Sequence, residues 1–108
     1  MNITVLGGGA WGTAIAISAA RHHAPQSVCL WARNAKQIEA LSIDAENKQY
    51  LPAIPLPDGL LLESDFQKAL GCLGSDDVLV IATPMSGLPQ ILENVLTQAK
   101  HPLNILYL

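Results

Sequence analysis

Residues 3–20 read ITVLGGGAWGTAIAISAA, and this stretch decides the fold class. Its first four residues form a short apolar run, mainly β-branched, that stops at three glycines, as expected of a buried strand. Residues 10–21 are rich in alanine and isoleucine and predict a helix. A strand joined to a helix through glycines opens many parallel sheets.

The same alternation continues along the chain. Further apolar runs predict buried strands at residues 28–31, 60–62, 78–82 and 104–108. Asn34, Ser64 and Ser86 stand where they can cap the intervening helices. Gln37 and Gln67 follow the first two caps by three residues, in the capping-box position.

Apolar strands that alternate with helices indicate a parallel sheet covered on both faces. We therefore predict an α/β fold: a Rossmann-type doubly wound parallel sheet in which residues 1–108 end inside the fifth strand. Because a hydrophobic strand seldom ends such a sheet, we expect these residues to be the N-terminal part of a longer protein. Pro52, Pro55 and Pro57 exclude a regular helix nearby, and we expect a loop there.

The composition excludes several classes of protein. Half of the residues are hydrophobic and 14% are charged, which argues for a folded domain. A net charge of −3 gives no general attraction to nucleic acid or anionic membranes. No apolar run reaches the roughly 18 residues of a membrane span, and the N-terminus carries no basic secretory signal. Cys29 and Cys72 form no CxxC pair, so we expect buried, reduced thiols and a cytoplasmic protein.

Gly7, Gly9 and Gly12 fit the spacing G-x-G-x-x-G between the first strand and helix. Gly7 permits a tight turn, Gly9 lets a pyrophosphate approach the backbone, and Gly12 lets the helix pack against the strand. The free N–H groups and dipole of the helix N-terminus favour an anion. We predict a dinucleotide site; a glycine-rich turn without a ligand is the alternative.

The end of the second strand bears on the choice of dinucleotide. A strict NAD site has an acidic residue about 20 positions after the loop, but the first acid here is Glu39. Arg33 can instead bind the 2′-phosphate of NADP or stack on adenine. We expect NADP(H) to bind at least as well as NAD(H), the alternative being that Arg33 is solvated in a turn.

The other polar residues and the segment after the fourth strand give weaker indications of function. Residues 82–86, including Pro84, leave the fourth strand at the ligand-binding edge, and we expect them to face the nicotinamide unless they only start the next helix. Adjacent His22 and His23 point about 100° apart on a helix, so we predict no metal site. His101 and the Asp76–Asp77 pair are expected in solvated turns.

Four segments together resemble the N-terminal domain of bacterial NAD(P)-dependent glycerol-3-phosphate dehydrogenases. They are ITVLGGGAWGTAIA (3–16), VCLWARN (28–34), NKQYLPAIPLP (47–57) and VLVIATPMS (78–86). The likeness extends over essentially the whole chain. It implies an oxidoreductase that interconverts glycerone phosphate and sn-glycerol 3-phosphate, a phospholipid precursor, in the cytoplasm with NADP or NAD.

The resemblance also implies roles for individual residues. Ala10 and Trp11 would contact the cofactor with the glycine loop, Arg33 and Asn34 would hold its adenosine end, and Tyr50 would approach it. Two departures stand out: Gly8 replaces a frequent alanine, a change that we expect to be tolerated, and Met85–Ser86 replaces a Ser-His pair. The second departure weakens any role for those two side chains.

In the family, a catalytic lysine follows the fifth strand and a helical domain completes the substrate pocket. Neither lies in residues 1–108, so we assign no catalytic residue and expect this part of the chain to bind dinucleotide without catalysis. A homodimer is compatible with the resemblance. The alternatives are a dehydrogenase of the 6-phosphogluconate or hydroxyacid type and a non-catalytic nucleotide-sensing module.

Overall fold

Strands and helices alternate in the computed structural model, which describes residues 1–22, 27–74, 76–84, 87–100 and 102–107. The elements in chain order are β1 (Ile3–Leu6), α1 (Ala10–His22), β2 (Val28–Trp31), α2 (Ala35–Asp44), β3 (Glu46–Asn47), β4 (Leu51–Pro55), β5 (Leu60–Glu63), α3 (Phe66–Gly71), β6 (Val78–Ile81), α4 (Leu88–Gln98) and β7 (Asn104–Tyr107).

Five of these strands form one parallel sheet in the order β5-β2-β1-β6-β7. Val5 of the central strand β1 lies between Leu30 of β2 and Val80 of β6. The order reverses on the two sides of β1, so loops following β1, β2 and β6 meet at the carboxyl edge. The predicted Rossmann-type α/β fold is confirmed.

Both faces of the sheet are covered, as uniformly apolar strands require. Leu6 and Leu79 pack on one face with residues of α3 and α4, including the fully buried Ala69. Val5 and Leu30 pack on the other face with residues of α1 and α2. The polar side chain of Thr4 is also fully buried, and its hydroxyl donates to the Ala69 carbonyl at 3.0 Å.

The first of the predicted helix caps holds for α2. The side chain of Asn34 accepts from the backbone N–H of Lys36 at 2.9 Å. Gln37 does not complete a capping box, however, because its side-chain amide reaches the glycine loop and donates to the Gly8 carbonyl at 2.8 Å. The capping-box prediction for Gln37 was therefore wrong.

Helix α3 is capped by Asp65, so the prediction of Ser64 was wrong. One Asp65 oxygen accepts from the backbone N–H groups of Gln67 and Lys68. Ser64 instead continues the end of β5, where its N–H donates to Glu63. The negative charge of this carboxylate is also stabilised by the positive end of the helix dipole. Ser86, the cap predicted for α4, lies outside the described residues.

The segment that contains Pro52, Pro55 and Pro57 is not a loop throughout, which corrects the loop predicted from the sequence. Strands β3 and β4 form a separate antiparallel two-stranded sheet, with Glu46 opposite Pro55. Prolines fit such a short edge pairing because they only remove N–H donors. β4 also contacts α1, so this small sheet is attached beside the main one.

Asp77 is a structural residue rather than part of a solvated turn. Its carboxylate accepts from the backbone N–H of Asn2 at 2.6 Å and from that of Gly74 at 2.7 Å. These bonds tie the start of β1 to the turn before β6. Neighbouring Asp76 is exposed, as expected.

The prediction of two buried, unpaired thiols holds in full only for Cys29. Both cysteines are free, but Cys72 is half-buried. Burial raises the pKa of the Cys29 thiol to about 12, with smaller contributions from nearby Cys72 and Glu63. Cys29 therefore stays neutral at physiological pH and acts as a small apolar core residue.

Replacing Asp77 by alanine should lower the free energy of unfolding by about 1–3 kcal/mol, because two backbone N–H groups lose a charged acceptor. Urea denaturation of the purified protein measures the change. Asp76→Ala is the matched control and should change stability by less than about 0.5 kcal/mol. Equal stability of the two variants would show that the Asp77 bonds contribute nothing.

Candidate functional site

A cavity of about 670 Å³ lies at the carboxyl edge of the sheet, where loops from three neighbouring strands meet. Its volume is within the range of about 300–1,000 Å³ typical of small-molecule sites. Its walls come from the glycine loop, the β2 exit, the β6 exit and the segment before β4. The lining residues used below are Gly7, Gly8, Gly9, Ala10, Trp11, Arg33, Asn34, Gln37, Tyr50, Thr83 and Pro84.

Two glycines of the loop are required by the fold itself. Gly7 has a φ of 131°, which L side chains rarely adopt, and a Cβ there would lie 2.8 Å from the Ala82 carbonyl oxygen. A Cβ on Gly12 would overlap the carbonyl oxygen of Gly7. Gly12 thus lets α1 approach the loop closely; it lies beside the cavity rather than in its wall.

Gly9 differs from these two because nothing lies within 4 Å of the position that its Cβ would take. The folded chain therefore imposes no steric need for glycine at this position. The open space is what an approaching ligand would require, as the sequence pattern predicts for a pyrophosphate.

The positive end of α1 borders this open space. Ala10 and Trp11 begin the helix, and its first turn contains no acidic residue. Of the described residues that line the cavity, Arg33 alone carries a charge. The local electrostatics therefore favour an anion even though the chain as a whole is acidic.

The residues predicted at the adenosine end lie together on one side of the cavity. Arg33 and Asn34 are exposed and are separated from the end of β2 by one residue, Ala32. The Asn34 side chain is engaged in capping α2, which leaves the Arg33 guanidinium as the group able to reach a phosphate. Trp11 is 76% exposed and Tyr50 is 46% exposed, so two aromatic rings are available at the cavity wall.

The β6 exit forms the other side of the cavity. The Thr83 hydroxyl donates to the Leu6 carbonyl at 3.3 Å, and the Pro84 carbonyl accepts from the N–H of Gly87 at 2.9 Å. Pro84 lines the cavity where the sequence places the nicotinamide side. Met85 and Ser86 lie outside the described residues.

Sequence reasoning missed two polar side chains of the site. Gln37 and Asn47 both donate side-chain N–H groups to the carbonyl of Gly8, at 2.8 and 2.9 Å. Asn47 is the first residue of the NKQYLP segment, but nothing in its local sequence shows that it reaches the glycine loop. A Cβ on Gly8 would lie 2.7 Å from the Gln37 amide nitrogen and 2.9 Å from the Ala32 Cβ. An alanine there would require Gln37 and Ala32 to shift.

Within the described ranges, no three His, Cys, Asp or Glu side chains are grouped as a metal would need. The His22 side chain, His23 and His101 lie outside the description. No helix in the described part of the chain has the length and hydropathy needed to cross a membrane.

Comparison with known proteins agrees with the geometry. The sequence model of the family described as NAD-dependent glycerol-3-phosphate dehydrogenase N-terminus matches residues 2–108. An NAD(P)+ glycerol-3-phosphate dehydrogenase of Polynucleobacter necessarius is 51% identical over 108 residues, which are the whole of this chain and 32% of the relative. The relative from Polynucleobacter asymbioticus is 52% identical over the same length. The chain thus spans about a third of these curated relatives.

Solved structures show the same relationship. Glycerol-3-phosphate dehydrogenase of Saccharomyces cerevisiae superposes with a TM-score of 0.84 at 26% identity, covering 99% of this chain and 33% of the yeast protein. The Coxiella burnetii enzyme gives a TM-score of 0.81 at 25% identity, covering 98% of this chain and 31% of that protein. Sequence and structure together show that this chain belongs to the NAD-dependent glycerol-3-phosphate dehydrogenase family.

Proposed function

We propose that residues 1–108 bind NADP(H) or NAD(H) as part of an oxidoreductase that interconverts glycerone phosphate and sn-glycerol 3-phosphate. The observation that carries the cofactor proposal is the open space over Gly9, at the N-terminus of α1 and inside the cavity. Family membership supports the substrate. The cytoplasmic location and a homodimer belong to the same proposal.

The cavity walls suit the separate parts of a dinucleotide. The diphosphate would lie over Gly9 and Ala10, where N–H groups and the dipole of α1 are available. The adenosine end would extend to Arg33, and the nicotinamide would face Pro84. The cofactor supplies the hydride, and the chain's contribution is to bind and orient it.

Aromatic side chains would shield the bound cofactor. Trp11 and Tyr50 are large aromatic residues, and each leaves a substantial part of its surface exposed. Their surface would be buried against the ligand, which adds apolar contact to the electrostatic attraction. By the resemblance, a lysine outside residues 1–108 would supply the proton, so we assign no catalytic residue here.

The reaction is tested with the purified protein, NADPH and glycerone phosphate, by following the fall in NADPH absorbance. We expect oxidation of NADPH with formation of sn-glycerol 3-phosphate by the protein that carries the helical domain, and cofactor binding alone by residues 1–108. A panel of hydroxyacids and 6-phosphogluconate serves as the control. Turnover of a panel member in place of glycerone phosphate would identify a different dehydrogenase, and cofactor binding by the longer protein without turnover would indicate a sensing module.

Gly9→Ala should weaken NADPH binding about tenfold or more while leaving folding intact. The added Cβ enters open space in the chain itself but would occupy the path of the diphosphate. Fluorescence titration gives the Kd, and thermal unfolding should show a stability change below about 0.5 kcal/mol. Gly71→Ala, which also places a Cβ in open space, is the matched control. If Gly9→Ala and Gly71→Ala bind NADPH with equal affinity, the diphosphate does not lie over Gly9.

Arg33→Asp should reduce affinity for NADPH about 10- to 150-fold more than affinity for NADH. The expected loss is that of a charge-assisted bond to the 2′-phosphate, about 1.5–3 kcal/mol. Parallel titrations with the two cofactors measure the preference. Arg21→Asp on the exposed face of α1 makes the same charge change away from the cavity and should leave the preference unaltered. If Arg33→Asp keeps the wild-type ratio of NADPH to NADH affinity, the Arg33 guanidinium does not bind the 2′-phosphate.

A further inference from the structure

Three donors from separate parts of the chain converge on one carbonyl of the glycine loop. The Gly8 oxygen accepts from the Gln37 side chain at 2.8 Å and from the Asn47 side chain at 2.9 Å. The Thr13 hydroxyl lies 3.5 Å from the same oxygen. A backbone carbonyl has two lone pairs, so this oxygen is fully engaged on the protein side.

The direction of this carbonyl fixes the direction of the next N–H. The Gly8–Gly9 peptide unit is planar, and in the trans form its C=O and N–H point in opposite directions. Thr13 and Asn47, on which the oxygen is anchored, are 0% and 2% exposed. The oxygen therefore points to the buried side of the loop, and the Gly9 N–H points away from it.

This orientation matters because glycine peptides rotate easily. Without side chains at positions 8 and 9, little resists a flip of the peptide between them. A flipped peptide would turn a partially negative oxygen toward the ligand and remove an N–H donor. For an anionic ligand, both changes are unfavourable.

Asparagine is the residue type that the geometry at position 47 requires. Its amide donates two hydrogen bonds, to the Gly8 carbonyl and to the Thr13 hydroxyl at 2.8 Å. Its side-chain oxygen accepts from the N–H of Tyr50 at 3.2 Å. Aspartate would keep the acceptor but lose both donors. Asn47 thus links the glycine loop to the segment that carries the aromatic ring of Tyr50.

We propose that Gln37 and Asn47 are positioning residues for the cofactor diphosphate, which they serve by holding the Gly8–Gly9 peptide with its oxygen turned inward. The inference rests on the proposed dinucleotide function. It assigns a role to two side chains that need not touch the ligand. They differ in surroundings, since Gln37 is half-buried on α2 whereas Asn47 is buried in β3.

The test compares ligands with and without a diphosphate. Asn47→Asp and Gln37→Met each remove side-chain donors to the Gly8 oxygen. Because Gln37 is only half-buried, we expect Gln37→Met to fold like the wild type. Affinities are measured for NADPH and ADP-ribose, which contain the diphosphate, and for adenosine 2′-phosphate, which does not. We expect each variant to bind the first two ligands about tenfold more weakly, as expected for one lost hydrogen bond. Adenosine 2′-phosphate should change less than about twofold.

Matched controls make the same chemical changes elsewhere. Asn2→Asp removes a side-chain amide that donates to the Cys72 carbonyl, at the opposite edge of the sheet. Gln67→Met changes an exposed glutamine on α3. Both controls should keep wild-type affinity for all three ligands, even if Asn2→Asp lowers thermal stability.

The three ligands distinguish failure of the positioning role from failure of the proposed function. Unchanged NADPH and ADP-ribose affinities in both variants would overturn the positioning role while leaving the proposed function standing. Equal weakening of all three ligands would also overturn it, because that result indicates general distortion of the cavity. Failure of the wild-type protein to bind NADPH at all would instead overturn the proposed function, and the inference with it.

Discussion

The close approach of backbone to backbone at the corner between β1 and α1 is the contact on which the rest of the structure depends. A Cβ on residue 12 would overlap the Gly7 carbonyl oxygen, and a Cβ on residue 7 would lie only 2.8 Å from the Ala82 carbonyl oxygen. Only residues without side chains permit both contacts. These two contacts hold the glycine loop against the start of α1 and the β6 exit, all three of which line the cavity.

That corner explains why a net-acidic chain can present an anion site. The N-terminus of α1 lines the same cavity as Gly9 and Arg33, and no acidic residue stands in the first turn of the helix. The attraction is local, and its strength comes from geometry rather than from overall charge. Of the loop glycines, Gly7 and Gly12 are required by the fold, whereas no neighbouring atom of the described chain requires glycine at position 9.

Much of this arrangement could be predicted from the sequence because its signals are local. Residues 78–81 are apolar throughout and residues 3–6 are apolar except for Thr4, which is the pattern of strands buried on both faces. Eight of the nine residues predicted to bind the cofactor line one cavity, since the ends of parallel strands meet at one edge. The sheet formed by β3 and β4 was missed because β3 has only two residues and β4 is largely exposed and contains prolines.

Two further errors, at Gln37 and Asp77, have a common physical origin, which is that the side chain bonds a partner distant in the sequence. Gln37 stands at capping-box spacing from Asn34, yet it bonds Gly8, 29 positions away. Asp77 sits in a polar turn, yet it accepts from Asn2, 75 positions away. In both cases the side chain bonds a backbone group that only the tertiary fold brings near, and Asp77 does so while keeping its local bond to the N–H of Gly74. At the glycine corner both Gln37 and Asn47 form such bonds to the Gly8 carbonyl, because a loop without side chains depends on its neighbours to set its conformation.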